Sequence, residues 1–153
     1  MEKHQCTIAL VPLGHKIYFS QFPGLQAELH AKAAALLPLF DDSAEVFVTE
    51  YVSTVEEAYG VVRELKRRDI DGIFLLLTTY LPSSLAAPFA LYLDVPQVLV
   101  GVQPLDRLDY ERCTTYMQLV NDDVCAMPEI AGAYARLGRR IPACIVQAQS
   151  QRE

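Results

Sequence analysis

Gly72-Ile73-Phe74-Leu75-Leu76-Leu77 is the stretch that decides the fold. Six consecutive positions carry no polar side chain, so neither face of a strand built from them can be turned to water. Such a run belongs at the centre of a parallel sheet covered by helices on both faces. Asp69-Ile70-Asp71 precedes it and Thr78-Thr79 follows it, which bounds the strand at both ends and keeps it far shorter than a membrane span.

Working outward, shorter apolar or β-branched runs at 7–12, 45–51, 96–102 and 143–147 alternate with segments of helical period. Pro96 suits the first position of its strand, where a missing N–H costs no ladder bond. Over 25–40 the apolar residues Leu25, Leu29, Ala33, Leu36 and Leu37 fall on one helical face, with Pro23 and Gly24 marking the start. Ser53-Thr54-Val55-Glu56 reads as a capping box opening a helix over 54–68, whose inward stripe is Val55, Ala58, Tyr59, Val62 and Leu65. Further helices are predicted over 83–93, 112–124 and 128–137, the last opened by Pro128 and stopped by Gly138.

Strand and helix in strict alternation give a βαβ architecture. The expectation is one α/β domain over 1–153, a flavodoxin-like (Rossmann-type) three-layer sandwich with a five-stranded parallel sheet in the order 2-1-3-4-5. A length of 153 residues with 52% apolar content is enough for one such core.

Charge and cysteine usage exclude several functions. The formal charge is −6, and no basic stretch is longer than Lys66-Arg67-Arg68, so neither nucleic acid nor a membrane surface is an expected partner. Cys6, Cys113, Cys125 and Cys144 show no CxxC spacing, and a soluble cytoplasmic chain with reduced thiols is expected. No Gly-rich phosphate loop, GxSxG elbow or HExxH pair is present. Asp122 and Asp123 are adjacent and diverge on a helix, and Glu129 complements a helix N-terminus; neither points to a metal set. No catalytic residue and no metal ligand is assigned.

In an open parallel sheet, ligands bind beyond the carboxyl ends of the strands. Three loops there are rich in hydroxyl, amide and aromatic groups: Gly14 to Phe22, Thr78 to Ser84, and Gln103 to Asp106. Neutral donors and acceptors match sugar hydroxyls, and ring faces cover the C–H surface of a carbon chain. The candidate substrate-binding residues are His15, Tyr18, Gln21, Thr78, Thr79, Tyr80 and Gln103. Each has a plainer reading beside it. His15 and Lys16 can be surface residues, Tyr18, Phe19 and Phe22 can pack the loop onto the sheet, and Thr78 and Thr79 can bond local backbone.

Several of these segments also resemble the N-terminal region of the L-arabinose isomerase/L-fucose isomerase-like family. The matching residues are Gly14-His15 with Tyr18 and Gln21-Phe22-Pro23-Gly24-Leu25; Ser53 to Ala58; Asp69-Ile70-Asp71-Gly72; Thr78-Thr79-Tyr80 with Ser83-Ser84; Val95-Pro96; Gln103-Pro104 with Leu108-Asp109-Tyr110; and Cys125 with Pro128-Glu129-Ile130-Ala131. Phe19-Ser20 depart from it, standing where a tryptophan and a proline would be expected. The resemblance implies the substrate-recognition and subunit-contact domain of an aldose-ketose isomerase, inactive alone. It further implies a manganese ion held outside this chain, and a homo-oligomer or C-terminal domains as partners. Two other readings stand beside it: a stand-alone sugar-binding or regulatory protein, and a flavodoxin-like small-ligand module.

Overall fold

In the computed structural model, residues 5–40, 44–105, 107–121 and 124–147 are described. His4, Asp106, Asp122 and Asp123 lie outside them. Five strands, β1 (Cys6–Leu13), β2 (Ala44–Val48), β3 (Gly72–Leu77), β4 (Gln97–Gln103) and β5 (Ala143–Gln147), form one sheet in the order β2-β1-β3-β4-β5. Every pairing is parallel. The apolar run of β3 takes the central place that its composition demands, with Leu75 aligned between Val11 of β1 and Leu99 of β4.

The helices divide between the two faces. α2 (Val55–Leu65), α3 (Ala87–Tyr92) and α5 (Met127–Arg136) enclose the larger core, built on Val11, Leu13, Ile73, Leu75, Leu77, Phe89 and Ile130. α1 (Leu25–Ala34) lies on the opposite face, where Ala33 and Leu36 meet Leu10, Leu76 and Val100. α4 (Thr115–Asn121) packs beside α1 through Leu119, Leu25 and Leu29. No helix among the described residues is long and apolar enough to cross a membrane.

Several elements differ from the sequence expectation for identifiable reasons. The helix predicted over 25–40 ends at Ala34 and gives way to a 3-10 turn at Leu37–Leu39, because Pro38 has no N–H to continue the α ladder. The segment 83–93 likewise divides into a 3-10 turn, Ser83–Leu85, and the short α3. On α2 the inward stripe is Ala58, Val61, Val62 and Leu65; Tyr59 lies at the rim, its ring against Tyr92 at 5.7 Å. The capping box is one residue later than predicted. Thr54 Oγ1 accepts from the Glu57 N–H at 3.2 Å, and Glu57 Oε2 accepts from the N–H of Thr54 at 3.0 Å and of Ser53 at 2.7 Å. Burial raises the Glu57 pKa, but these hydrogen bonds outweigh it and hold the carboxyl below the ordinary carboxylate value.

One buried polar network ties β4 to two helices. The Gln97 side chain donates to the carbonyls of Phe89 at 3.0 Å and Leu93 at 3.1 Å, and its Oε1 accepts from the Tyr134 hydroxyl at 2.6 Å. Burial drives the Tyr134 pKa upward, so the phenol stays a donor. Tyr134→Phe should leave Gln97 Oε1 buried without a donor and lower stability by about 1–3 kcal/mol in a urea titration. An unchanged midpoint would mean that water or another donor replaces the phenol.

Candidate functional site at the carboxyl edge of the sheet

The strand ends that carry the candidate residues are joined tightly to one another. Leaving β1, Gly14 donates its N–H to the Val52 carbonyl at 3.0 Å and packs against Tyr51 and Thr78. Thr78 Oγ1 donates to the Leu13 carbonyl at 2.8 Å, so in its hydrogen bond with the Tyr51 hydroxyl the phenol is the donor. Thr79 Oγ1 accepts from the His15 N–H at 3.0 Å and donates to the Tyr80 carbonyl at 2.9 Å. Both threonines are fully buried. Their hydroxyls hold the loops after β1 and β3 together, where the topology reverses direction.

The rest of the first loop is organised by its own backbone. His15 caps the 3-10 turn Lys16–Tyr18, its Nδ1 accepting from the Ile17 N–H at 3.4 Å, which leaves Nε2 as the ring's donor. Gln21 Nε2 donates to the Ile17 carbonyl at 2.9 Å. Gly24, at φ 89°, turns the chain into α1 in a conformation that a side chain would strain. Tyr18, Phe19 and Phe22 pack on Leu25, Leu29, Tyr51 and Leu119. At the other end of the edge, the exposed Tyr80 hydroxyl donates to Glu129 Oε2 at 3.1 Å, and Glu129 Oε1 accepts from the Ser83 N–H at 2.8 Å. The hydrogen bond to Glu129 raises the Tyr80 pKa. The Ser83 N–H, against partial desolvation, lowers that of Glu129. Glu129 thus ties the β3 loop to the start of α5, beyond complementing its N-terminus.

Gln103 faces a different environment. Half-buried at the end of β4, it opens onto a crevice of about 720 Å3 whose other polar walls are Arg107, Tyr110, Thr114, Thr115, Gln118 and Asn121. Asn121 is 93% buried (7% exposed), and its Oδ1 accepts from the Leu105 N–H at 3.0 Å, which fixes the loop's return to α4. Among the described residues, the Asn121 amide nitrogen donates to no atom. A buried amide donor with no protein partner, lining an open crevice, is placed to meet a ligand or water. Thr114 Oγ1 accepts from the Met117 N–H at 3.2 Å and caps the first turn of α4.

The structure therefore brings His15, Tyr18, Thr78 and Thr79 together at the β1 and β3 ends, places Tyr80 against α5, and sets Gln103 in the crevice. Sequence reasoning missed Arg107, Thr114, Gln118 and Asn121. The signal available was a polar segment directly after a central strand, but the helical period over 112–124 masked which of its residues face inward.

No family model matches the chain, and no curated protein does. Among solved structures, one described as a transcriptional regulator of the LacI family from Rhizobium etli matches with a TM-score of 0.39 and 11% identity, over 93% of this chain and 57% of that one. The isomerase resemblance does not stand. No family model and no curated protein brings that family back for this chain. Several of the residues that carried it have structural duties in this sheet. Gly14 gives space to Tyr51, Ser53 to Glu57 cap α2, Thr78 bonds the Leu13 carbonyl, and Glu129 holds the Ser83 N–H. The implied manganese ion and isomerase partners fall with it. Among the described residues no three of His, Cys, Asp and Glu gather to hold a metal ion.

Proposed function

We propose that this chain is an α/β binding module for a small polyhydroxylated ligand of the sugar class, taken in the crevice beyond β4. The observation that carries this reading is the buried Asn121 amide, unpaired among the described residues, in a crevice walled by further neutral hydrogen-bonding groups. Gln103, Gln118 and Asn121 each bring an amide, while Thr114, Thr115 and Tyr110 bring hydroxyls. Leu105 and Leu108 supply apolar surface for the carbon skeleton. The volume suits a ligand of monosaccharide to disaccharide size.

Ligand binding to the native state raises the melting temperature in proportion to ligand excess over Kd. A panel of neutral monosaccharides and sugar acids at millimolar concentration should therefore contain at least one member that stabilises the chain. Gln103→Ala combined with Gln118→Ala should abolish that gain while leaving the unliganded melting point nearly unchanged, since neither side chain belongs to a hydrophobic cluster of the core. A gain retained in the double variant would move the site elsewhere. A gain with flavin mononucleotide alone would favour a nucleotide ligand.

A further inference from the structure

Resting on that reading, we propose that the ligand carries an anionic group, a carboxylate or a phosphate, received by Arg107. The chain has 19 acidic against 13 basic residues, yet among the described residues the one charged side chain lining the crevice is this arginine, with no described carboxylate beside it in the wall. Three other arginines are engaged, Arg68 with Glu64 at 3.0 Å, Arg112 with Asp109 at 3.8 Å, and Arg139 with Asp94 at 3.4 Å and with the Leu93 carbonyl at 2.8 Å; what distinguishes Arg107 is its place in the crevice wall. The guanidinium of Arg107 makes no ion pair or hydrogen bond among the described residues. Its planar fork matches carboxylate and phosphate oxygens in pairs, and these charge-assisted bonds are about twice as strong as those to neutral hydroxyls.

The second observation is independent of charge. Asn121, held rigid by its bond to Leu105 N–H, presents its amide donor to the same crevice. One cation and one buried donor in a wall of hydroxyls and amides select a molecule with acceptor-rich oxygens at one end and hydroxyls along its length. Sugar acids and sugar phosphates share that chemistry.

The test is calorimetric titration of the whole chain with three matched series: glucose, galactose and ribose; the corresponding aldonates; and the corresponding terminal phosphates. Inorganic phosphate serves as a fourth probe. At least one anionic member should bind at least about tenfold more tightly than its neutral parent, the range expected of a hydrogen-bonded charge. Raising salt from about 0.05 to about 0.5 M should shrink that margin, because the guanidinium is exposed. Arg107→Gln should erase the margin without shifting the melting temperature of the free chain. Preference for aldonates assigns a carboxylate, and preference for phosphates assigns a phosphoryl group. Equal binding of neutral and anionic members, with no effect of Arg107→Gln, overturns the anion and leaves the hydroxylated ligand. Inorganic phosphate bound as tightly as the sugar phosphates keeps the anion site and removes the sugar. Binding of none of these compounds overturns both readings.

Discussion

Phe89→Ala is expected to lower the unfolding free energy by about 3–5 kcal/mol. Phe89 is fully buried in α3, within the cluster that joins Leu75 and Leu77 of β3 to α2 and α5. Removing the ring forfeits its transfer free energy and opens a cavity that three packed helices and a sheet can only partly close. The residue has a second duty, since its carbonyl accepts from Gln97 Nε2 at 3.0 Å, and any movement of α3 into the void would weaken that network. A domain of this length has about 8–20 kcal/mol of stability, so the variant should show a midpoint shift measurable by urea titration. A loss below about 1 kcal/mol would mean that α3 is not packed as described.

Gly14→Ala should cost about 1–3 kcal/mol, and most of that cost should vanish in a Tyr51→Phe background. A methyl group at Gly14 would overlap the Tyr51 hydroxyl and lie 2.7 Å from Thr78 Oγ1. The phenol has little room to yield, because Tyr51 is 91% buried (9% exposed) and its ring is flanked by Phe19 at 5.5 Å and His30 at 6.3 Å. Displacing it breaks the hydrogen bond to Thr78 and loosens the junction between the β1 and β3 loops. Deleting the hydroxyl first removes the worst overlap and leaves the methyl group Thr78 Oγ1 at 2.7 Å and the ring carbon Cζ at 3.1 Å. The double-mutant cycle therefore reports one contact. Simple additivity would contradict the placement of Gly14 against Tyr51.

The sheet was legible because its signal is local and redundant. Gly72 to Leu77 could only be a central strand, and strands alternating with helices constrain the order once right-handed crossovers are required. Helix ends were less legible. Pro38 alone separates a continuous helix over 25–40 from α1 and its 3-10 turn, and apolar period counts a leucine equally in either. Tyr59 and Val61 exchange places on α2 because a tyrosine at the rim can lay its ring on Tyr92 and Lys66, an option invisible to periodicity.

The site divides the same way. That a ligand is to be sought at the carboxyl edge follows from the parallel sheet itself, and Gln103 is a candidate by its position at the end of β4. Thr78 and Thr79 were equally prominent in the sequence, yet their hydroxyls close onto Leu13, Tyr51, His15 and Tyr80, partners 1 to 65 residues away in the chain. Whether a loop hydroxyl faces a ligand or joins two loops is a tertiary property. Asn121 shows the converse. It reads as a polar residue on a helix, and only the contact of α4 with the end of β4 buries it with its Oδ1 on the Leu105 N–H.

The most direct test is to map backbone amide shifts by NMR as the chain is titrated with a compound from the sugar and sugar-acid series that stabilises it. A ligand site beyond β4 should put the largest saturable changes on Gln103, Leu105, Arg107, Thr114 and Asn121, around the crevice. Changes centred instead on His15, Tyr18 and Thr79, or no saturable change with any compound of the series, would contradict it.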